Sequence, residues 1–228
     1  MLTTLEPIAD NLWTVSAPQH FLGFHVGTKM TVVRLSNGSL LLHSPVSVSH
    51  QVKKALDELG PVSHIVCPNL YHHLYAGEVL KLFPTAKLHG PAKLHKKRKD
   101  LPFDYALSDS PHSDWVDDLE VLTIEGSMLH ETVFYHKPSA TLISCDLVEN
   151  FRTSGHWPTL LWLKVGGLHG KVGWHHLLKL VYWKRSAARQ SILKMLEWPF
   201  ERAIIAHGRI LEEDAHHTME QAFRWLLK

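Results

Sequence analysis

Residues 63–83 read SHIVCPNLYHHLYAGEVLKLF, and this stretch decides the class of fold. Its first part, SHIVCPN, is a short apolar run bounded by turn residues, which is typical of a buried β-strand. Its second part is rich in leucine and ends before Pro84, a residue that helix interiors do not tolerate. The stretch therefore predicts a strand, a loop that contains two adjacent histidines, and a helix.

A group of predicted strands precedes this unit. Between residues 11 and 46 the chain alternates short β-rich runs with turns, and Asn37-Gly38 separates the last two runs. That dipeptide between apolar runs is the strongest local signal for a β-hairpin. Residues 47–60 carry apolar side chains at helical spacing and end at Gly60-Pro61, which predicts an amphipathic helix.

A second group of strands and a set of helices follow the central unit. The runs at 118–126, 131–139 and 140–146 have β character. Residues 157–196 are helical in character but contain several glycines, so at least one break is expected there. The run RAIIAHG is a final buried strand, and the amphipathic end of the chain is a closing helix.

Composition limits the kind of protein. The chain has 228 residues, 45% of them hydrophobic, which suits one sizeable core. We therefore expect a single domain over residues 1–228. Lys and Arg total 24 against 22 Asp and Glu. So small an excess of positive charge argues against a nucleic-acid binder or an anionic-membrane binder.

The compartment is predicted from the N-terminus and the cysteines. The segment MLTTLEPIADNLW lacks a basic region followed by a long apolar run, and no stretch reaches the roughly 18 apolar residues of a membrane helix. The two cysteines, Cys67 and Cys145, lie far apart in apolar runs, which is poor material for a disulfide framework. We expect a cytoplasmic protein.

Metal-binding side chains follow three of the predicted strands. The strand that ends near Cys67 leads to His72 and His73, the next ends at Asp146, and the last ends at His207. Functional groups in α/β proteins collect just past the carboxyl ends of strands. Imidazoles with a carboxylate suit a divalent cation, and three such ligands leave a coordination position for water.

This order of elements resembles the metallo-β-lactamase fold superfamily over nearly the whole chain. The chain also resembles an uncharacterised branch of this superfamily, a domain of unknown function, in the segments HSPV, CPNLYHHLYAG, HETVFYHKPS, CDLVEN and IIAHG. The resemblance implies an α/β fold, the four-layer αββα sandwich, with the site at one edge of the two packed sheets. Cys145-Asp146 resembles the superfamily's bridging Asp, and Ala206-His207-Gly208 its final metal His.

The first metal-binding loop departs from the superfamily pattern His-x-His-x-Asp-His. Its four ligand positions fall, with no gap, on Asn69, Tyr71, His73 and Leu74. The loop is therefore degenerate, and a small shift of register would bring His72 or His130 into the vacant positions. The middle metal His is replaced by Ser127, with His130 and Glu131 shortly after it. This depletion predicts about one bound ion per chain rather than two.

The resemblance implies a metal-dependent hydrolase in which a metal-activated water attacks a small-molecule ester, thioester, amide or phosphodiester. The expected metal ligands are His73, Asp146 and His207, with His72 as a fourth ligand or an outer donor. Glu131 and His130 are the candidates for proton transfer. Zinc is the first choice of divalent metal, and iron and manganese are alternatives.

Two other functions stay open. A non-catalytic member of the superfamily would keep the sandwich as a binding protein after its metal site decayed. An interaction module, with a homodimer as one form of it, would use the aromatic side chains of residues 160–183 as a partner surface. We favour the packing of those aromatics over the sandwich as part of the core.

Overall fold

The computed structural model describes residues 4–151 and 154–228. Residues 1–3, which begin the segment assessed above for a targeting signal, lie outside the described residues. The first half of the chain forms nine strands: β1 Leu5–Ala9, β2 Leu12–Ala17, β3 His20–Phe21, β4 Phe24–His25, β5 Thr28–Arg34, β6 Leu40–His43, β7 Val62–Val66, β8 Lys87–Gly90 and β9 Tyr105–Ala106. Its helices are α1 His50–Leu59, α2 Ala76–Leu82 and α3 Ala92–Lys97.

Seven of these strands form one sheet in the order β1-β2-β5-β6-β7-β8-β9. Strands β1, β2, β5 and β6 pair antiparallel, and β6, β7, β8 and β9 pair parallel. The predicted hairpin at Asn37-Gly38 is confirmed as the β5–β6 connection. Gly38 has φ +83° there, a conformation that favours glycine.

The second half begins with strands β10 Leu119–Thr123, β11 Thr132–His136, β12 Thr141–Ile143 and β13 Glu149–Asn150. It continues with α4 Trp157–Val165, β14 Val172–Gly173, α5 Arg185–Met195, β15 Arg202–Ile204 and α6 Ala215–Leu227. Four strands form the second sheet in the order β10-β11-β12-β15. Because β12 and β15 pair parallel, their carboxyl ends meet at one edge.

Three apolar layers show how the elements stack. The first sheet packs Ile65 against Val52 and Leu56 of α1. Its other face meets the second sheet, where Val66 belongs to the same apolar cluster as Phe134. The outer face of the second sheet is covered by α5 and α6, whose buried residues include Ile192, Met195, Met219 and Phe223. The molecule is therefore a four-layer αββα sandwich, as the sequence predicted.

Local signals explain the helix that precedes β7. The Ser49 hydroxyl accepts the N–H of Val52 and caps the first turn of α1. Val52 and Leu56 are buried on one face. The helix ends at Leu59, just before the Gly60-Pro61 pair that predicted its end.

The predicted break between residues 157 and 196 is confirmed. The short strand β14 and a 3-10 helix at Leu178–Val181 separate α4 from α5. In this region Trp174 and Tyr182 are buried, whereas 63% of Trp183 is exposed. None of the helices in the described ranges combines the length and the apolar character that a membrane span requires.

Candidate metal centre

Three strand ends deliver metal-binding side chains to one place. His72 lies in the loop after β7, Asp146 follows β12, and His207 follows β15. One ligand atom from each of the three lies within 4.8 Å of the others. Asp146 Oδ1 is the common point, 3.2 Å from His72 Nε2 and 3.0 Å from His207 Nε2.

The turn at Asn69 decides which histidine of the loop faces Asp146. The Asn69 carboxamide oxygen accepts the backbone N–H groups of Tyr71 and His72, both at 2.8 Å. Such an Asx turn bends the chain directly after the strand. The bend brings the side chain of His72, rather than that of His73, to Asp146.

His73 takes a different position. Its Nδ1 lies 2.8 Å from Nη1 of Arg98, which donates to it. The His73 side chain also lines the cavity beside the centre, but it is not part of the three-residue group. Burial and the nearby charges of Lys97 and Arg98 lower the pKa of His73.

The two histidines of the centre are oriented by partners on their far nitrogens. His207 Nδ1 lies 2.7 Å from the carbonyl oxygen of Gly27, which only accepts, so Nδ1 carries a proton. His72 Nδ1 lies 2.7 Å from the hydroxyl of Ser44, which either donates or accepts. Outer partners of this kind fix ring orientation and tautomer in metal sites.

Glu131 lies behind the loop that carries Asp146. It is 1% exposed, and its two carboxylate oxygens accept the backbone N–H groups of Cys145 and Asp146, each at 2.8 Å. The Asn69 carboxamide donates to both Glu131 and Asp146, at 3.2 and 2.8 Å. Glu131 therefore fixes the backbone of the loop, and it is not among the described residues that line the cavity. Burial and the negative charge of Asp146 raise its pKa.

Burial and the neighbouring polar groups have opposite effects on the pKa values of Asp146 and His207. Burial disfavours ionisation of Asp146, but the charge of His72 and the hydrogen bonds from His207 and His72 outweigh it and hold its pKa below the usual range. Burial acts against the His207 imidazolium, but the hydrogen bond and charge of Asp146 raise its pKa above the usual value. Asp146 is thus a carboxylate at neutral pH.

A cavity of about 470 Å³ opens beside the centre. The described residues that line it include His72, Asp146 and His207. Much of the remaining wall is apolar and includes Phe21, Val26, Leu129, Trp174, Leu178 and Val181. The size suits a small molecule, and an apolar wall with a few polar groups at one end is typical of ligand sites.

Glu149 also lines the cavity and was missed in the sequence. Its Oε2 atom is buried and has no hydrogen-bond partner among the described residues. Burial raises the pKa of Glu149 to about 7, although the charge of His207 opposes the shift. A carboxyl group with its pKa raised in this way is a candidate for proton transfer near neutral pH.

His130 lies apart from this constellation. Its Nε2 is 2.7 Å from Nζ of Lys93, and its backbone has φ +51°. The described residues that line the cavity include neither His130 nor Glu131. The structure thus brings together His72, Asp146 and His207 from the predicted set, with His73 beside them and the two proton-transfer candidates outside the cavity.

The donor set fits a divalent cation. Two imidazole nitrogens and one carboxylate oxygen are borderline and hard ligands of the kind that Zn²⁺, Fe²⁺ and Mn²⁺ accept. They converge from three separate strand ends, and the far nitrogen of each ring is held by an oxygen. All three candidate ligands line the cavity, so there is room for water or a small molecule beside them.

A family model described as "Domain of unknown function (DUF4336)" matches residues 9–164, more than half of the chain. The chain belongs to this family. This match confirms the predicted membership of an uncharacterised branch, a domain of unknown function. No curated protein matches this DUF4336 chain in sequence.

Solved structures give the same fold. A metallo-beta-lactamase from Pontibacter korlensis is 12% identical at a TM-score of 0.67, with 98% of this chain and 99% of that one covered. DIM-1 metallo-beta-lactamase, exposed to ceftazidime, is 17% identical at 0.67, with 98% and 97% covered. The mono-zinc form of FIM-1 from Pseudomonas aeruginosa is 13% identical at 0.65, with 100% and 98% covered. These likenesses establish the metallo-β-lactamase fold for the DUF4336 chain.

Proposed function

We propose that this DUF4336 protein is a metal-dependent hydrolase that holds one cation between His72, Asp146 and His207. The observation that carries the proposal is their convergence, with ligand atoms within 4.8 Å of one another, in the wall of a cavity. A bound divalent cation supplies Lewis acidity, which activates water and polarises a carbonyl or phosphoryl oxygen. Zinc is the first candidate, with iron and manganese as alternatives.

The chain's own residues divide the remaining tasks. Glu149 accepts and returns the proton, because the residue lines the cavity and its carboxyl group has a pKa of about 7. Glu131, predicted from sequence for that task, instead positions Asp146 through two backbone N–H groups. His73 is excluded from the ligand set in this proposal because its Nδ1 is taken by Arg98.

The cavity wall narrows the class of substrate. A volume of about 470 Å³ accommodates a small molecule rather than a polymer. Side chains such as Phe21, Leu129 and Trp174 offer apolar contact to the part of the substrate that is not cleaved. We therefore propose an ester, thioester, amide or phosphodiester that carries an apolar group.

One ion per chain at this centre is the proposed occupancy. Asn69, Tyr71 and Leu74 stand at ligand positions of the superfamily's first loop, and these vacancies deplete one of its two ion sites more than the other. Asn69 is occupied in the turn and in bonds to Asp146 and Glu131. The mono-zinc form of FIM-1 provides a precedent in this fold.

The test combines metal analysis with an activity panel on protein purified without a His-tag. Zn²⁺-loaded protein is assayed with activated esters, thioesters, lactones and phosphodiesters. Asp146→Ala and His207→Ala are each expected to lose about one ion per chain relative to wild type and to lose the activity. Glu149→Gln is expected to keep the ion and to lose ~10²–10⁴-fold in kcat.

The chain contains 19 histidines, so matched controls are needed to distinguish binding at the centre from binding by other histidines. His50→Ala and His217→Ala alter exposed histidines on α1 and α6 and are expected to change neither ion content nor rate. Equal loss of metal in all four alanine variants would show adventitious binding. Metal binding that depends on Asp146 without any hydrolysis would favour the non-catalytic binding protein.

An interaction module is the second candidate, and one observation favours it. Six apolar side chains of the α4–α5 region are more than half exposed, namely Trp157, Leu161, Val165, Leu177, Leu180 and Trp183. Exposed apolar side chains concentrated in one region of the chain are a feature of contact sites. A solution mass of two chains that falls to one in Leu180→Ser/Trp183→Ser would support a homodimer, and a one-chain mass in the wild type would reject it.

A further inference from the structure

A second histidine cluster lies on the inner face of the seven-stranded sheet. His64 of β7 and His89 of β8 are on adjacent parallel strands and are almost fully buried. His112 and Asp114 reach them from the segment between β9 and β10. This cluster shares no residue with the candidate metal centre.

Its geometry resembles that of a metal site. One ligand atom each from His64, His112 and Asp114 lies within 4.8 Å of the other two. Asp114 Oδ2 is 3.3 Å from His64 Nε2 and 3.7 Å from His112 Nδ1. His112 Nδ1 accepts the backbone N–H of Asp114 at 3.2 Å, so a cation bound at that nitrogen would replace this local hydrogen bond. Two imidazoles and one carboxylate again form a set that borderline divalent cations prefer.

An unpartnered atom points into the cluster. His64 is 1% exposed, and its Nε2 makes no hydrogen bond within the described part of the chain, although it faces Asp114. Buried polar atoms are normally paired, so an unpaired one calls for a missing partner. A cation between His64 and Asp114 supplies that partner.

His89 is placed to hold the far nitrogen of the His64 ring. Its Nε2 lies 3.1 Å from His64 Nδ1. His89 is 2% exposed, and a ring nitrogen without a proton accepts a hydrogen bond, so its Nε2 is placed to accept the Nδ1–H of His64. When His64 Nδ1–H donates to that nitrogen, the lone pair of His64 Nε2 is directed at Asp114. Metal-ligating histidines commonly hold the far nitrogen in this way.

The surroundings of the cluster hold the rings and leave one side accessible. The ring of Trp115 lies 4.9 Å from His64 and 4.7 Å from His89, measured between ring centroids. The side chain of Asp114 is 47% exposed and that of His112 is 20% exposed. A cation therefore reaches the cluster from solvent on the Asp114 side without opening of the sandwich.

We propose that His64, His112 and Asp114 form a second metal site that takes a divalent borderline cation such as Zn²⁺, with His89 orienting His64. The site ties the segment between β9 and β10 to the inner face of the first sheet. It does not depend on the hydrolase proposal, because the ligands and the cavity are separate.

The experiment uses the full chain without a His-tag and titrates it with Zn²⁺ alone. The double variant Asp146→Ala/His207→Ala removes the first centre and is expected to bind one equivalent. Adding His112→Ala and Asp114→Asn to it is expected to weaken that binding at least ~10-fold, the lower end of what loss of even an outer partner does. The same pair of changes in the otherwise wild-type chain is expected to remove one equivalent.

A matched control uses another exposed His–acid pair. His217 Nδ1 lies 4.0 Å from Glu220 Oε2 on α6, and His217→Ala/Glu220→Gln is expected to leave the titration unchanged. Equal weakening by this control pair would overturn the proposal, as would unchanged Zn²⁺ affinity after the His112 and Asp114 changes. His112 and Asp114 are partly exposed, so the chains that carry His112→Ala and Asp114→Asn are expected to fold. Far-ultraviolet circular dichroism spectra check this.

Discussion

Glu149→Gln is expected to stabilise the metal-free protein at alkaline pH and not at acidic pH. Burial raises the pKa of Glu149 from 4.5 to about 7, so the folded chain binds more protons than the unfolded chain between these two values. Stability contributed by this group therefore falls as the pH rises from 4.5 to 7 and stays low above 7. Each pKa unit corresponds to about 1.36 kcal/mol, so ionised Glu149 destabilises the fold by about 3 kcal/mol at pH 8.

The assay is urea unfolding in the presence of a chelator at pH 5, 6, 7 and 8. The free energy of unfolding of the variant is expected to approach that of the wild type near pH 5 and to exceed it by up to about 3 kcal/mol at pH 8. Glu213→Gln, at an exposed position on the loop before α6, is the control and is expected to follow the wild type at each pH. A difference between Glu149→Gln and wild type that is constant with pH would refute the reasoning, because it would arise from packing. A variant that is less stable at pH 8 would show that the carboxylate has a partner.

Three further predictions concern the support of the centre and the core. Gly208→Ala is expected to lower the free energy of unfolding by more than about 2 kcal/mol in urea titrations, because the added Cβ would lie 2.1 Å from the Asn150 carbonyl oxygen at φ +96°. Asn69→Ala removes both the hydrogen bond donated to Asp146 and the carboxamide oxygen that forms the turn. Zn²⁺ affinity measured by calorimetry is therefore expected to fall ~10–100-fold. Unchanged affinity would show that Asn69 does not support the centre. Phe223→Ala in the outer core is expected to reduce stability by about 3–5 kcal/mol in the same urea assay while the folded protein retains its Zn²⁺ affinity.

The parts of the fold that the sequence predicted are those with local signals. The Asn37-Gly38 hairpin and the helix before Gly60 depend on residues close together in the chain, and the structure confirms both. Asp146 and His207 could be placed because each lies three residues after the end of a strand. Their approach to each other follows from the parallel pairing of those strands.

The remainder of the site depends on contacts that spacing does not reveal. The choice between His72 and His73 rests on the side chain of Asn69, which accepts two backbone N–H groups. Glu131 was predicted for proton transfer because its type suits the task, but its partners are backbone groups 14 and 15 residues away. A role for Glu149 could not be predicted from the sequence, because only the tertiary structure shows that it lines the cavity.

Because the candidate metal centre draws its ligands from both sheets, neither half of the chain contains it. His72 belongs to the first half, and Asp146 and His207 belong to the second. A chain cut between the exposed residues Asp109 and Ser110 yields one fragment with a single ligand and another with two. Cation binding by a mixture of the two fragments is then a direct reporter of their reassembly, which makes this fold a natural starting point for a metal-dependent split protein.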